Sequence, residues 1–287
     1  MSSHFQKILY DNRQGFSLNH TVGNHAGDST LGYYHCQFSN MLIYFIHGTG
    51  SIWIEGRHYD ICEGDMILLN PNELYHCKVD SSVYHERIVI RISESFLNNF
   101  PAAEKDLFTP FTGREKGIGN RIPARIVAEN GLDTLLEELL KLFQFPIPNG
   151  KLLSVCKVVQ FLIHLGQVTV PRPWEEISNH DNPLIHDILG YINSHYRENI
   201  SISGIADHFS FHKSYLSHLF TEQVGMPLWN YVILRRISAV HEFVRQGCSL
   251  EEACYQAGFQ NYSNFFRLYK KHTGMTPMQY KLQRQEK

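Results

Sequence analysis

Ser214-Tyr215-Leu216-Ser217-His218-Leu219-Phe220, with Gly225-Met226 five residues on, decides how this chain is read, because the chain repeats it. The second copy is Ser263-Asn264-Phe265-Phe266-Arg267-Leu268-Tyr269, with Gly274-Met275 five residues on. Ser214/Ser263, Leu219/Leu268, Gly225/Gly274, Met226/Met275 and Tyr231/Tyr280 are each 49 residues apart. Upstream, Ser201/Ser249 and Phe211/Phe259 are 48 apart, so the second copy carries one extra residue in its turn. Two copies are too few for a solenoid and indicate a duplicated supersecondary unit.

The unit has the grammar of a helix-turn-helix. Ser201 is a good N-cap for a short first helix. Ser249-Leu250-Glu251-Glu252 fits a capping box, with Ser249 as cap and Glu252 three residues later. Ser210-Phe211 and Gly258-Phe259 make the turns, and longer helices begin near Lys213 and Tyr262. Tyr215, Leu216, Leu219 and Phe220 are expected to pack inward, as are Phe265, Leu268 and Tyr269. The opposite face carries Ser214, Ser217, His218 and Thr221 in one copy and Ser263, Phe266, Arg267 and Lys270 in the other. Positions i, i+3, i+4 and i+7 form one stripe on a helix. Such a stripe can reach base edges in a major groove, with Arg267 suited to guanine and Phe266 to a thymine methyl. Lys213, Lys270 and Lys271 suit phosphates, and Tyr262 stands at the start of the second stripe. Gly225 and Gly274 fall where these helices should end. The roughly twenty residues from Pro227 to Gln246 predict a connecting helix of about 30 Å, close to one turn of B-DNA.

Composition sets the frame. The 287 residues suffice for two ordinary domains, and 43% hydrophobic with 19% charged residues is a globular balance. No apolar run approaches the roughly 20 residues that span a bilayer. The start, Met1-Ser2-Ser3-His4-Phe5-Gln6-Lys7, lacks the apolar core of a signal peptide, so the expected location is the cytoplasm. The six cysteines show no C-x-x-C pairing and read as a reduced set of small hydrophobes. Net charge is −2, but residues 181–287 carry 11 Lys/Arg against 9 Asp/Glu, while residues 1–180 carry 15 against 19. The C-terminal part is the one suited to phosphate.

Residues 1–30 are polar without a clear period and read as an arm. From Leu42 the pattern is β: runs at 42–46, 51–54, 66–69 and 84–92, separated by Gly48-Thr49-Gly50, Glu55-Gly56, Glu63-Gly64-Asp65 and Asn70-Pro71-Asn72. Strands so closely spaced predict an antiparallel sandwich or barrel. Helical spacing follows in Leu132, Leu135, Leu136, Leu139, Leu140 and Phe143, and again from about 151 to 167. Pro171-Arg172-Pro173 and the polar run to Pro183 mark the best linker. The expected fold is therefore α+β and multidomain. A β-barrel with an arm occupies 1–95, a helical linker or dimerisation region 96–170, an interdomain linker 171–182, and an all-α domain of two helix-turn-helix units 183–287.

At these residues the chain resembles the AraC/XylS family of transcription regulators. Residues 183–284 resemble the family's double helix-turn-helix domain throughout. The clearest stretch is Ala257-Gly258-Phe259-Gln260-Asn261-Tyr262-Ser263-Asn264-Phe265-Phe266-Arg267-Leu268-Tyr269-Lys270-Lys271, then Gly274-Met275-Thr276-Pro277 and Tyr280. Copy one departs from the pattern with Gly204 inside its first helix, and with His218 and Thr221 where the family often has Arg and Lys. Residues 20–95 resemble the family's cupin-like effector domain through Tyr44-Phe45-Ile46-His47-Gly48-Thr49-Gly50, the stretch Tyr59-Asp60-Ile61-Cys62-Glu63-Gly64-Asp65-Met66-Ile67-Leu68-Leu69-Asn70-Pro71, and Leu74-Tyr75-His76. The resemblance implies an effector pocket in the barrel, with His47, His85 and Arg87 as contacts and His35, Trp53 and His76 plausible by type. It also implies dimer contacts through the helices at 132–167.

The expectation is a DNA-binding transcription activator and not an enzyme. It responds to a small molecule, a sugar or related metabolite, and needs no cofactor or metal. Expected partners are double-stranded DNA in two successive major grooves per monomer, a second copy of the chain, and RNA polymerase, with no membrane. Two other readings stay open. One is a metal-dependent cupin enzyme with a DNA-binding tail, for which His35, Gln37 and His76 are the only arrangement. The other is a constitutive DNA-binding protein whose barrel only dimerises.

Overall fold

Alternating side chains in the N-terminal half produce two antiparallel sheets. The computed structural model describes residues 6–12, 15–24, 35–36, 39–71, 73–79, 84–100, 105–169 and 182–285. The strands are β1 (Gln6–Asn12), β2 (Phe16–Asn24), β3 (His35–Cys36), β4 (Asn40–His47), β5 (Gly50–Ile54), β6 (Arg57–Ile61), β7 (Met66–Leu69), β8 (Leu74–Val79), β9 (Tyr84–Ile92) and β10 (Arg121–Ile122). Six form one sheet in the order β1-β2-β9-β4-β7-β10, and four form the other in the order β3-β8-β5-β6. The expected barrel is thus two facing sheets. Between them pack Met41, Ile43, Phe45, Ile67, Leu69 and Val89 from the larger sheet, and Ile52, Ile54, Ile61, Tyr75 and Cys77 from the smaller.

Much of the supposed arm belongs to the larger sheet. β2 lies between β1 and β9, paired with β9 from Phe16↔Ile92 to Asn24↔Tyr84. Phe16 and Leu18 join the core on the helix side of the sheet, while Asn19 and Thr21, also buried, take the opposite face. A strand with a polar buried face loses the apolar-polar alternation that identifies a half-buried strand.

Two buried carboxylates fasten residues 114–124 to the sheets. Glu73, fully buried, accepts from both Arg114 Nη atoms at 2.8 Å, from Gly117 N at 3.0 Å and from Asn120 Nδ2 at 3.1 Å. Asp65, also fully buried, accepts from Cys62 N at 2.8 Å, Arg121 Nε at 2.8 Å and Ala124 N at 2.9 Å. Such ions are tolerated because each lone pair has a donor.

The outer face of the larger sheet is covered by helices. After α1 (Thr109–Thr112) and α2 (Ala124–Glu129) come α3 (Leu132–Gln144) and α4 (Gly150–Thr169). Leu136, Leu139, Val155, Val158, Phe161 and Leu162 pack on Leu18, Leu42, Tyr44, Met66, Leu68, Ile88 and Ile90. At 20 residues α4 is long and apolar enough to cross a bilayer by length and composition, which corrects the expectation that no segment comes near this. Seven of its residues are buried here, against α3 and the sheet.

The C-terminal half is helical: α5 (Pro183–His195), α6 (Ile202–His208), α7 (Lys213–Val224), α8 (Leu228–Arg245), α9 (Leu250–Gln256), α10 (Tyr262–Thr273) and α11 (Pro277–Gln285). The two copies have separate cores. Ile205, Ala206, Leu216, Phe220 and Val224 cluster with α5, and Ala253, Cys254, Ala257, Phe259, Phe265 and Tyr269 form the second cluster. α8 serves both, giving Leu228, Tyr231, Val232 and Leu234 to the first and Ile233, Ile237 and Val240 to the second. The expected linker at 171–182 lies outside the described residues except for Asn182, whose side chain caps α5 by accepting from Leu184 N.

Candidate nucleic-acid interface and effector site

Each helix-turn-helix is built as its sequence dictates. Ser201 Oγ accepts from Gly204 N at 3.0 Å, and Ser249 with Glu252 forms the reciprocal capping box. The turns match: Phe211 N donates to Ala206 O, and Phe259 N to Cys254 O. Both turns require left-handed backbone, met by Ser210 (φ 57) in the first copy and Gly258 (φ 91) in the second. Gly258 passes under α5's end, where an added Cβ would stand 2.6 Å from the Arg197 carbonyl oxygen. Gly225 and Gly274 end α7 and α10 with φ of 78° and 75°.

The two stripes face solvent. Lys213, Ser214, His218 and Thr221 are exposed on α7, with Ser217 half-buried. Ser263, Phe266, Arg267, Lys270 and Lys271 are exposed on α10. Arg267 Nη2 donates to Asn264 Oδ1 at 3.1 Å, and Asn261 caps α10 by accepting from Asn264 N at 3.0 Å. His212 begins α7 with no side-chain cap. His218 stands 3.8 Å from Glu222. Two placements differ from expectation. Tyr215 is 52% exposed and leans on Phe211 in the turn, so it flanks the stripe instead of joining the core. Tyr262 is half-buried against Phe265.

The six effector candidates do not converge. His85 and Arg87 are buried on β9. His47 is exposed at the end of β4, 3.1 Å from Glu63. Trp53 stacks on His76 with ring centroids 5.6 Å apart and lies beside Gly225, on the outer face of the smaller sheet. His35 is in register with Tyr75, and its side chain, like Gln37, lies outside the described residues. Register shows what the sequence reading missed. Ser17 pairs with Arg91, Asn19 with Val89 and Thr21 with Arg87, and Val89 belongs to the core between the sheets. Residues opposite each other in an antiparallel pair share a face, as do alternate residues along a strand.

Trp53 and His76 belong instead to an interface between the smaller sheet and the first helix-turn-helix. Leu74 of β8 is 2% exposed and sits in that unit's core. At the β5–β6 turn, Glu55 (φ 51) and Gly56 (φ 81) point at α8 and α5. A Cβ on Gly56 would overlap Leu189 Cδ1, and its φ of 81° lies in the left-handed region that favours glycine. Glu55 Oε1 accepts from Leu74 N at 2.9 Å, and its Oε2 accepts from Tyr231 OH at 3.2 Å and forms an ion pair with Arg235. The Glu55 and Arg235 side chains are 6% and 9% exposed. Asn193 Oδ1, 3.3 Å away, is an alternative acceptor for the single Tyr231 hydroxyl proton, and burial raises that hydroxyl's pKa. Arg245 and Glu94 add a longer contact at 3.5 Å.

Residues 23–143 match the model of an AraC-like ligand binding domain, and residues 205–283 that of a helix-turn-helix domain. The uncharacterized HTH-type transcriptional regulator YdiP of Escherichia coli (strain K12) is 35% identical over 101 residues, 35% of this chain and 33% of that protein. An uncharacterized HTH-type transcriptional regulator of Staphylococcus aureus (strain COL) is 24% identical over 85% of this chain and 31% of its own length. The chain thus spans about a third of the length of these relatives. Among solved structures, ToxT from Vibrio cholerae O395 aligns over 96% of both chains at 16% identity, with a TM-score of 0.37. With an AraC-like ligand binding domain ahead of an AraC-type helix-turn-helix domain, the chain belongs to the AraC family of transcriptional regulators.

Proposed function

We propose that this chain is a sequence-specific DNA-binding transcription activator of the cytoplasm. Each monomer reads two successive major grooves, α7 in one and α10 in the next. The observation that carries this is the pair of exposed stripes on duplicated units that share one helix. At 1.5 Å per residue the 18 residues of α8 span about 27 Å, within reach of one turn of B-DNA. The test is gel retardation of the promoter fragments beside the gene, against excess non-specific DNA. Specific retardation that Arg267→Ala weakens supports the proposal, and absence of any specifically retarded fragment refutes it.

The effector, a sugar or related metabolite, binds between the two sheets. Its presence is relayed along β8, where Tyr75 faces the inter-sheet space while Leu74 enters the first helix-turn-helix core and holds Glu55 through its amide. Binding at one site then biases the docking of the other, a coupling between distinct sites. A second copy of the chain packs on α4. Leu152 (63% exposed), Ile163 (47%) and the nearby Phe145 (71%) supply an apolar face on the side away from the sheet. RNA polymerase is the further partner of an activator. The domain limits proposed are 1–95, 96–170, 171–182 and 183–287.

A further inference from the structure

The bend that follows α5 ties the two helix-turn-helix units to each other. Tyr196 and Trp229 are partly buried, and each packs against both unit cores. Arg236 of α8 is buried beside them. Its Nε donates to the Tyr196 carbonyl at 2.7 Å and its Nη2 to the Glu198 carbonyl at 2.9 Å. Tyr196 ends α5, and carbonyls at a helix C-terminus carry its negative partial charge. The guanidinium carbon also stands 5.7 Å from the Trp229 ring centre and 5.8 Å from that of Phe259, in the second unit's turn. One cation therefore caps a helix of the first unit and rests against an aromatic ring of the second. Further contacts reach the same bend. Gly258 passes so close that a Cβ there would stand 2.6 Å from the Arg197 carbonyl oxygen. The Arg197 guanidinium carbon lies 5.0 Å from the ring centre of Phe243, which packs on the second core. Gln260 Nε2 donates to Asn199 Oδ1 at 3.0 Å. Each residue from 196 to 199 is thus held by α8 or by the second unit's turn.

A shared helix fixes the distance between two units along its axis. Their rotation about that axis is left to contacts across it, and the bend at 196–199 supplies them. B-DNA advances about 3.4 Å and turns about 34° per base pair, so two reading helices held rigidly match one spacing of half-sites. We infer that Arg236 is a positioning residue: by clamping residues 196–199 to α8 and the second turn, it locks α7 and α10 at one separation and one angle, so that the chain selects the spacing of its half-sites as well as their sequences. This rests on the reading of DNA by α7 and α10 proposed above, and adds a specificity that no base contact supplies.

The test is competitive gel retardation of the full chain with its specific fragment and with two derivatives, one gaining and one losing a base pair between the two patches that one chain protects. The inference predicts that either change weakens binding by the unaltered chain about ten-fold or more, the scale of one lost base contact. Arg236→Gln, too short to span both carbonyls, should weaken binding at the natural spacing and cut that penalty to about three-fold or less. Arg236→Lys, able to reach one carbonyl, should restore part of the penalty. Asn199→Ala, at an exposed position, should lower the penalty about two-fold, and it gives a second reading if Arg236→Gln does not fold. Arg267→Ala removes a base contact and leaves the clamp intact, so it should weaken all three fragments alike. An Arg236 variant that also weakens all three in equal proportion, as a purely structural role would, overturns the inference. So does an unaltered chain indifferent to one base pair. In either case specific retardation of the natural fragment leaves the DNA-reading proposal standing, and its absence refutes both.

Discussion

Arg267 carries the sharpest residue-scale consequence. It is exposed, sits in the middle of the α10 stripe, and is braced by Asn264. A bidentate arginine–guanine contact contributes about 1–3 kcal/mol of discrimination, so Arg267→Ala should weaken specific binding about 5- to 150-fold and relax preference at one base pair. Competition against operators altered one base at a time measures both. Lys270→Ala should instead weaken all sequences alike and reduce the slope of log affinity against log salt by about 1. The sequence marked these two residues because exposure on a helix follows from its 3.6-residue period. It placed Tyr215 wrongly, because that residue sits at the edge of the apolar arc, where the turn residue Phe211 decides whether it is covered. Arg91, Asn19 and Thr21 were missed for another reason: only strand register shows that they share a face with Arg87.

At the scale of elements, the two helix-turn-helix units are alike in plan and unequal in support. α10 has a side-chain cap from Asn261 and a glycine turn under the Arg197 carbonyl, while α7 has neither a side-chain cap nor a glycine in its turn. Gly258→Ala would combine left-handed strain with a close contact to that carbonyl. It should destabilise the second unit by about 1–3 kcal/mol, read as a lower Tm and loss of the protection that α10 gives to DNA. His272, near the end of α10, has its pKa lowered by burial and, less, by Lys271. The unfolded chain therefore takes up its proton more readily than the folded one. The stability His272 contributes is present above the ordinary histidine pKa of about 6.5 and is lost as pH falls through the lower folded value. Thermal unfolding from pH 7.5 downward should show this acid-side loss, and His272→Gln should flatten it. The caps, terminal glycines and connecting helix were legible because local chemistry alone sets them. β1 and β2 were not, because a strand whose buried face is partly polar is recognised only by its neighbours.

The whole molecule is defined by the contact between the smaller sheet and the first helix-turn-helix, which no local pattern predicts because Glu55 and Arg235 are 180 residues apart. Removing one member of a buried ion pair costs about 3–5 kcal/mol, since it leaves the other charge buried without its counter-ion. Glu55→Gln should therefore undock the two halves, and small-angle scattering should record a larger radius of gyration. The double variant Glu55→Leu/Arg235→Met should restore docking, and unchanged scattering for Glu55→Gln would contradict the account. Docked or free, both stripes remain on one helical bar, and that is the central claim. Hydroxyl-radical footprinting of the specific fragment tests it most directly. The account predicts, for each bound chain, two patches of protection on one face of the duplex, centred about 10 base pairs apart, with Gly258→Ala erasing only the patch under α10. A single patch, or two whose spacing is not about one helical turn, would contradict it.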